Sequence, residues 1–179
     1  MRYAPLRALH ARRRARANER LRGRIPKSVL FLCHGNACRS PFAAALFARE
    51  VKAKIAAPIV VESAGLVAPG RPSPSGAVSA AARRDIDLSR HRSRLLTTRA
   101  VRSADLVVVM SAGQARVVHR VGRAKVSTLV LGDLDPDPVE QRTIVDPMGG
   151  PDDLFEKSYA RIERCIAALI QLIVAPSAV

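Results

Sequence analysis

Tryptophan is absent from this 179-residue chain, and only two Tyr and four Phe are present. A core so poor in aromatics must be filled by Ala, Val, Leu and Ile, which suits buried strands covered by helices. The same shortage leaves little with which to stack nucleic-acid bases, and no nucleic-acid-binding module is evident, so no specific nucleic-acid partner is expected. Cysteine is scarce as well. Cys33, Cys38 and Cys165 form an odd set without the dense spacing of a secreted disulfide scaffold, and a reducing, cytoplasmic setting is expected. No apolar run reaches the roughly 18 residues that span a bilayer. The start lacks the apolar centre of a secretory signal, so no transmembrane or exported form is expected.

Acidic residues are also few: 15 against 30 Lys and Arg, for a net charge of +15. About half of that excess lies in residues 1–24, "MRYAPLRALHARRRARANERLRGR", with nine Arg and only Glu19 opposing them. Leu6, Leu9 and Leu21 are only loosely spaced for a helix face. The plain reading is a flexible basic extension over residues 1–26, ahead of one domain over 27–179. Other readings are weak contact with a polyanion or membrane surface through residues 1–24, or a stretch upstream of the true start. An organellar targeting peptide is disfavoured by the shortage of Ser and Thr.

Beyond the arm, apolar runs alternate with helical patterns. "SVLFL" from Ser28, "PIVVESAG", "ADLVVVMS" and "KVSTLVLG" read as buried parallel strands. "FAAALFAREVKAK", "SGAVSAAARR" and "AGQARVVHRV" read as helices, and Leu154, Phe155, Tyr159, Ile162, Cys165, Ile166, Leu169 and Ile173 recur at helical spacing. Pro151, Asp152 and Asp153 start that last helix, and Pro176 lies beyond its end. "LVAPGRPSPSG" and "DLDPDPVEQRTIVDPMGGPDD" are too rich in Pro, Gly and Asp for regular structure. Such alternation predicts a doubly wound α/β domain with four parallel strands and helices on both faces. Binding sites in that fold lie beyond the carboxyl ends of the strands, and the first strand ends at Cys33.

There the chain reads "CHGNACRSP". Gly35 and Asn36 are the two types most tolerant of left-handed backbone angles, so His34 through Ser40 can curl with successive N–H groups pointing inward. Ser40 and Pro41 are a helix-start pair, the hydroxyl serving as a cap. The helix dipole and the planar Arg39 fork add to the N–H groups of His34, Gly35, Asn36, Ala37 and Cys38, making a phosphate-sized cradle. Positive charge of this kind favours thiolate over thiol, so Cys33 is expected to be a nucleophile that attacks phosphorus and forms a phosphocysteine. Ser40 can hydrogen-bond that sulfur and assist its departure. Asp146, in the irregular "IVDPMGG" loop, is the candidate acid for the leaving group and base for water, help worth about 10²–10⁴ in rate. The bland alternatives are a small buried Cys33, or a metal held by Cys33, His34 and Cys38. A metal set lacks a suitably spaced fourth ligand, Cys165 falling on an apolar helix face, so no metal or other cofactor is expected.

"VLFLCHGNACRSP" resembles the active-site loop of the low-molecular-weight protein tyrosine phosphatases. The resemblance extends in order through "ESAGL", "HRSRLL", "ADLVVVMS" and "VDPMGG", covering about residues 27–172. It implies that Cys33 is the nucleophile, Arg39 the phosphate and transition-state binder and Asp146 the general acid. It further implies that Asn36, Ser40, Ser63 and His91 hold the loop by hydrogen bonds, and that Cys38 forms a protective disulfide with Cys33 on oxidation. A phosphorylated protein is the implied partner. Met148, Gly149 and Gly150 stand where many tyrosine-specific members carry aromatics, and "DPMGG" is similar to a bacterial branch that includes protein-arginine phosphatases. That branch has Thr where this chain has Ala37, and tyrosine-specific members commonly have Ile. Phosphotyrosine is the expected substrate, with phosphoarginine as the alternative. The related arsenate reductases need further cysteines around residues 83–91, and none is present. A phosphate-binding module without turnover is the reading from another class, and the presence of Asp146 argues against it because binding alone needs no acid.

Overall fold

The computed structural model describes residues 4–122 and 126–176. Each of the four apolar runs forms a strand: β1 Ser28–Cys33, β2 Val60–Gly65, β3 Leu106–Val109 and β4 Thr128–Val130. They make one parallel sheet in the order β2-β1-β3-β4. β1 is central, pairing with β2 from Ser28↔Val60 to Cys33↔Gly65 and with β3 from Val29↔Leu106 to Leu32↔Val109. A strand paired on both edges and covered on both faces has no solvent side, and for that reason "SVLFLC" is continuously apolar rather than alternating.

Alternate residues of β1 feed two cores. Val29, Phe31 and Cys33 join helices α2 (Arg39–Lys54), α3 (Ser75–Ala82) and α6 (Asp152–Val174). Leu30 and Leu32 join Val107 and Val109 of β3, Val101 of α4 (Thr98–Ser103) and Val118 of α5 (Ala112–Gly122). In α6 the residues Phe155, Tyr159, Ile162, Ile166, Leu169 and Ile173 are all buried, as their spacing predicts. The doubly wound α/β architecture is therefore the one expected, with the switch point at β1.

Three local expectations change. The fourth strand stops at Val130, and Leu131–Leu134 tighten into a 3₁₀ turn. A Cβ at Gly132 would lie 2.1 Å from the Arg142 carbonyl oxygen, so the chain bends there against the loop that carries Asp146. Helix α4 went unassigned from the pattern; its signal is Thr97, whose side chain accepts from the Ala100 N–H at 3.1 Å.

The third change is in the basic arm. Residues Ala4–Leu21 form a helix, α1, in place of a flexible extension. Ala17 and Leu21 enter the larger core, and buried His10 donates from Nε2 to the Asp135 carbonyl at 3.0 Å. Arg20 donates to the Thr128 carbonyl at 2.8 Å, and the Gly23 N–H donates to the Leu172 carbonyl at 3.1 Å. Gly23, with φ of 66°, turns the chain out of the helix. Leu6 and Leu9 stay exposed, so the docking face is His10, Ala17 and Leu21 rather than a leucine stripe. No described helix is long and apolar enough to cross a membrane.

Candidate active site

The loop after β1 closes on its own sulfur. The Asn36 N–H donates to Cys33 Sγ at 3.2 Å, and Ser40 Oγ donates to the same atom at 3.0 Å. Two donors thus converge on one sulfur. Asn36 alone takes the left-handed conformation, with φ of 50°, whereas Gly35 does not use its freedom. The cap is also displaced by two residues from the Ser40-Pro41 expectation. Cys38 occupies the cap position without a side-chain hydrogen bond and the helix begins at Arg39, so the Ser40 hydroxyl is available for Cys33.

Asn36 is fully buried and every polar group it carries is used. Its Nδ2 donates to Ser40 Oγ and to Ser63 Oγ, both at 2.9 Å, and its Oδ1 accepts from the Arg94 N–H at 2.8 Å. Its carbonyl accepts from His91 Nε2 at 2.6 Å, which fixes the proton on that nitrogen. The run Asn36 to Ser40 to Cys33 is a polarised chain of donors ending on sulfur. Through these bonds Ser63 and His91 tie the loop to β2 and to the segment before α4.

Cys33, His34, Gly35, Ala37, Cys38, Arg39 and Asp146 line one cavity of about 90 Å³, together with Val67, Arg71 and Met148. Arg39 is buried. It donates from one terminal nitrogen to the Ile144 carbonyl at 3.0 Å and from the other to the Asp146 carboxylate, while its buried Nε–H has no partner. A buried guanidinium N–H without an acceptor is costly, and an oxyanion in the cavity would relieve it. The acid segment is held from both sides: the Ile144 N–H donates to the Met110 carbonyl at the end of β3, and Ser158 Oγ donates to the Val145 carbonyl. The Met148 N–H reaches Asp146 Oδ1 at 3.3 Å.

Several supports were not visible in the sequence. A Cβ at Gly65 would fall 2.8 Å from the Asn36 nitrogen and 2.9 Å from its Cβ, so β2 ends against the back of the loop. Tyr159, counted only as an apolar position of α6, donates from its hydroxyl to the Cys38 carbonyl at 3.1 Å and stacks on Phe42 with centroids 4.0 Å apart. Arg71 stands at the rim. Its backbone is fixed by Ser93, whose Oγ accepts from the Arg71 N–H and whose N–H donates to the Arg71 carbonyl, both at 2.9 Å. Burial pushes the Cys38 thiol up to about 12, so it is neutral in the resting protein. Cys165 is equally buried in the core and raised likewise, and all three cysteines are free. No cluster of metal-ligating side chains occurs among the described residues.

The fold is that of the cysteine-dependent low-molecular-weight phosphatases. The family described as "Low molecular weight phosphotyrosine protein phosphatase" matches residues 28–177, and the chain belongs to it. It is 35% identical over 146 residues, 80% of this chain and 94% of the other, to a probable low molecular weight protein-tyrosine-phosphatase, EpsP, of Ralstonia solanacearum. It is 31% identical over 147 residues, 79% and 93%, to a protein-arginine-phosphatase of Bacillus subtilis. Among solved structures, the Erwinia amylovora tyrosine phosphatase amsI superposes with a TM-score of 0.72 at 27% identity, covering 82% of this chain and 93% of that one. Relatives named for both phosphoamino acids are thus about equally similar.

Proposed function

We propose that the chain hydrolyses phosphotyrosine on protein substrates through a phosphocysteine on Cys33. The observation that carries this reading is the sulfur itself, fed by the Asn36 N–H and the Ser40 hydroxyl and facing Arg39 and Asp146 across one small cavity. An incoming phosphate monoester replaces Asp146 as the anionic partner of Arg39 and satisfies the unpartnered Arg39 Nε–H. The freed Asp146 carboxylate takes up a proton, from the incoming phosphate monoanion or from solvent, and faces the leaving oxygen. Cys33 Sγ forms the S–P bond as the P–O bond to the phenol breaks, and Asp146 gives its proton to the phenolate oxygen. In the second step Asp146 takes a proton from water, the water oxygen bonds to phosphorus, and the thiolate leaves onto the Ser40 hydroxyl. Arg39 and the loop N–H groups hold the spreading charge throughout.

By the same proposal, a peroxide oxidises the Cys33 sulfur to a sulfenic acid, and the Cys38 sulfur then displaces water from it to close the disulfide, slowly at neutral pH because its thiol is pushed up to about 12. Three free cysteines suit work in a reducing cytoplasm.

Phosphotyrosine is favoured over phosphoarginine by the rim. The exposed Arg71 guanidinium lines the mouth with no hydrogen-bond or ion-pair partner among the described residues, and it repels a second guanidinium. Ala37 offers that group no hydroxyl. The specific observation for phosphoarginine is the bare acid loop, where Met148 and Gly149 follow Asp146 and Pro147 without an aromatic to flank a phenyl ring.

Turnover of matched phosphotyrosine and phosphoarginine peptides without added metal, with Cys33→Ser as the blank, tests both parts. Cys33-dependent hydrolysis with phosphotyrosine the faster is expected, and Arg71→Ala should narrow the gap. Faster phosphoarginine turnover in the wild type overturns the substrate assignment. No turnover of either overturns the proposal in favour of a phosphate-binding module.

A further inference from the structure

A second concave site lies away from the catalytic cavity and shares no residue with it. Where α1 docks beside α5 and β4 it leaves a groove of about 330 Å³, lined by the charged residues Arg13, Arg16, Arg20, Arg142 and Asp133 and by His119. Arg13, Arg16 and Arg20 are spaced at three and four residues, which puts them on one face of α1. On a free helix that face would be an ordinary solvated one. Here the helix is fixed by Ala17 and Leu21 in the core, by the buried His10 to Asp135 hydrogen bond and by Arg20 on the Thr128 carbonyl. Its arginines are therefore held opposite His119 of α5 and Arg142 of the loop that runs on to Asp146.

The groove's only acid is already used. Arg142 takes both oxygens of Asp133, at 2.9 and 2.5 Å. Arg20 is spent on a neutral carbonyl. Arg13 and Arg16 have no carboxylate partner among the described residues. Like charges gathered in a concave, partly enclosed wall repel one another and focus a positive potential outward. The docked arm is thus under electrostatic tension that a multiply charged anion would relieve, and an anion bridging both walls would clamp α1 to the domain. The family match begins at Ser28, so α1 and its half of this groove lie outside it.

We propose that this groove binds a compact polyphosphate anion, between the guanidinium groups of Arg13, Arg16 and Arg20 on one wall and His119 and Arg142 on the other. Guanidinium forks fit phosphate oxygens in pairs, and the groove is sized for two or three linked phosphate groups rather than a long chain. Inorganic polyphosphate and the phosphate tail of a nucleotide both carry such an anion; the shared chemistry is a linear di- or triphosphate. Binding only to the docked arm stabilises that state, so occupancy and docking rise together.

The test is calorimetric titration of the full chain with inorganic tripolyphosphate and, separately, with adenosine triphosphate, the catalytic cavity being held by orthovanadate. One site is expected in the wild type. Arg13→Glu with Arg16→Glu, and separately His119→Glu, should each weaken it at least tenfold. The control pair Arg90→Glu with Arg92→Glu, of equal charge change on another face, should leave it nearly unaltered. Tripolyphosphate should also slow proteolytic removal of residues 1–24. Because His119 lies on the opposite wall, its variant tests the groove even if the arm substitutions undock α1. Tighter binding of the nucleotide than of tripolyphosphate supports the site and names a nucleotide as its source, and the reverse order names inorganic polyphosphate. Equal weakening in the control pair, or unchanged binding in the His119 variant, overturns the proposal. So does binding of an oligoribonucleotide or an anionic vesicle with no binding of tripolyphosphate.

Discussion

At the scale of single residues, the proposed chemistry turns on the pair Arg39 and Asp146. In the ligand-free protein they hold each other, and Arg39 keeps a buried Nε–H without an acceptor. In the proposed reaction an entering phosphate makes two changes at once: it completes Arg39 and releases the carboxyl. If Asp146 protonates the leaving oxygen, its value depends on how badly that oxygen needs a proton. Asp146→Asn is expected to slow an alkyl-substituted phenyl phosphate, with a poor leaving group, by about 10²–10³, and a dinitrophenyl phosphate by far less. Steady-state kcat for a series of aryl phosphates of graded phenol acidity checks this, and equal slowing across the series would remove Asp146 from the acid role. The candidate cradle is legible at this scale because Cys33, Arg39 and Ser40 lie within eight residues of one another. Arg71 is not, because only the fold brings the loop after β2 to the same mouth.

At the scale of elements, the catalytic loop is shaped by β2 as much as by its own residues. Gly65 ends β2 with its Cα against the Asn36 backbone, and a methyl group there would sit 2.8 Å from a nitrogen that donates to the sulfur. Because the contact is with backbone, nothing can rotate aside. Gly65→Ala is expected to lower stability by about 1–3 kcal/mol, in the range of overpacked core sites. It should also cut kcat at least tenfold, because the loop must move to admit the methyl group. Urea unfolding and steady-state kinetics of that variant read the two effects separately, and unchanged kcat would show that the loop tolerates the shift. The four strands were legible as continuous apolar runs, and α2, α3, α5 and α6 as helical periods. Helix α4 was not, since six residues with one buried side chain, Val101, carry no period. Gly65 reads in sequence as an ordinary strand end; its steric role exists only once β1 and β2 pair.

For the whole molecule, the basic arm shows what composition hides. Nine arginines read as a solvated tail, yet the docking of α1 rests on His10, Ala17 and Leu21, which share one helix face at spacings of seven and four but, with a single large apolar side chain among them, make no hydrophobic stripe. The stability of the assembled domain also carries a pH signature that can be signed. Burial holds the His91 proton affinity below the ordinary imidazole value of 6.5; its hydrogen bond to the Asn36 carbonyl works the other way, and Arg94 and Arg92 add to the lowering. The folded state therefore binds fewer protons than the unfolded chain as pH falls through that region. The unfolded chain takes up its proton first, so stability that is complete above about 6.5 is lost progressively below it. The lowered carboxyls act in a separate window. Asp153, held by Lys157, and Glu156, held by Arg84 and Arg83 against burial, lose their contribution only as pH falls below the carboxylate range. Urea midpoints at pH 7.5 and 5.5 thus isolate imidazole effects. The wild type is expected to lose more stability across that interval than His91→Gln, which keeps an N–H donor for Asn36 without a titrating ring. An equal loss in the two proteins would assign the drop to another group and leave His91 as a fixed strut of the loop.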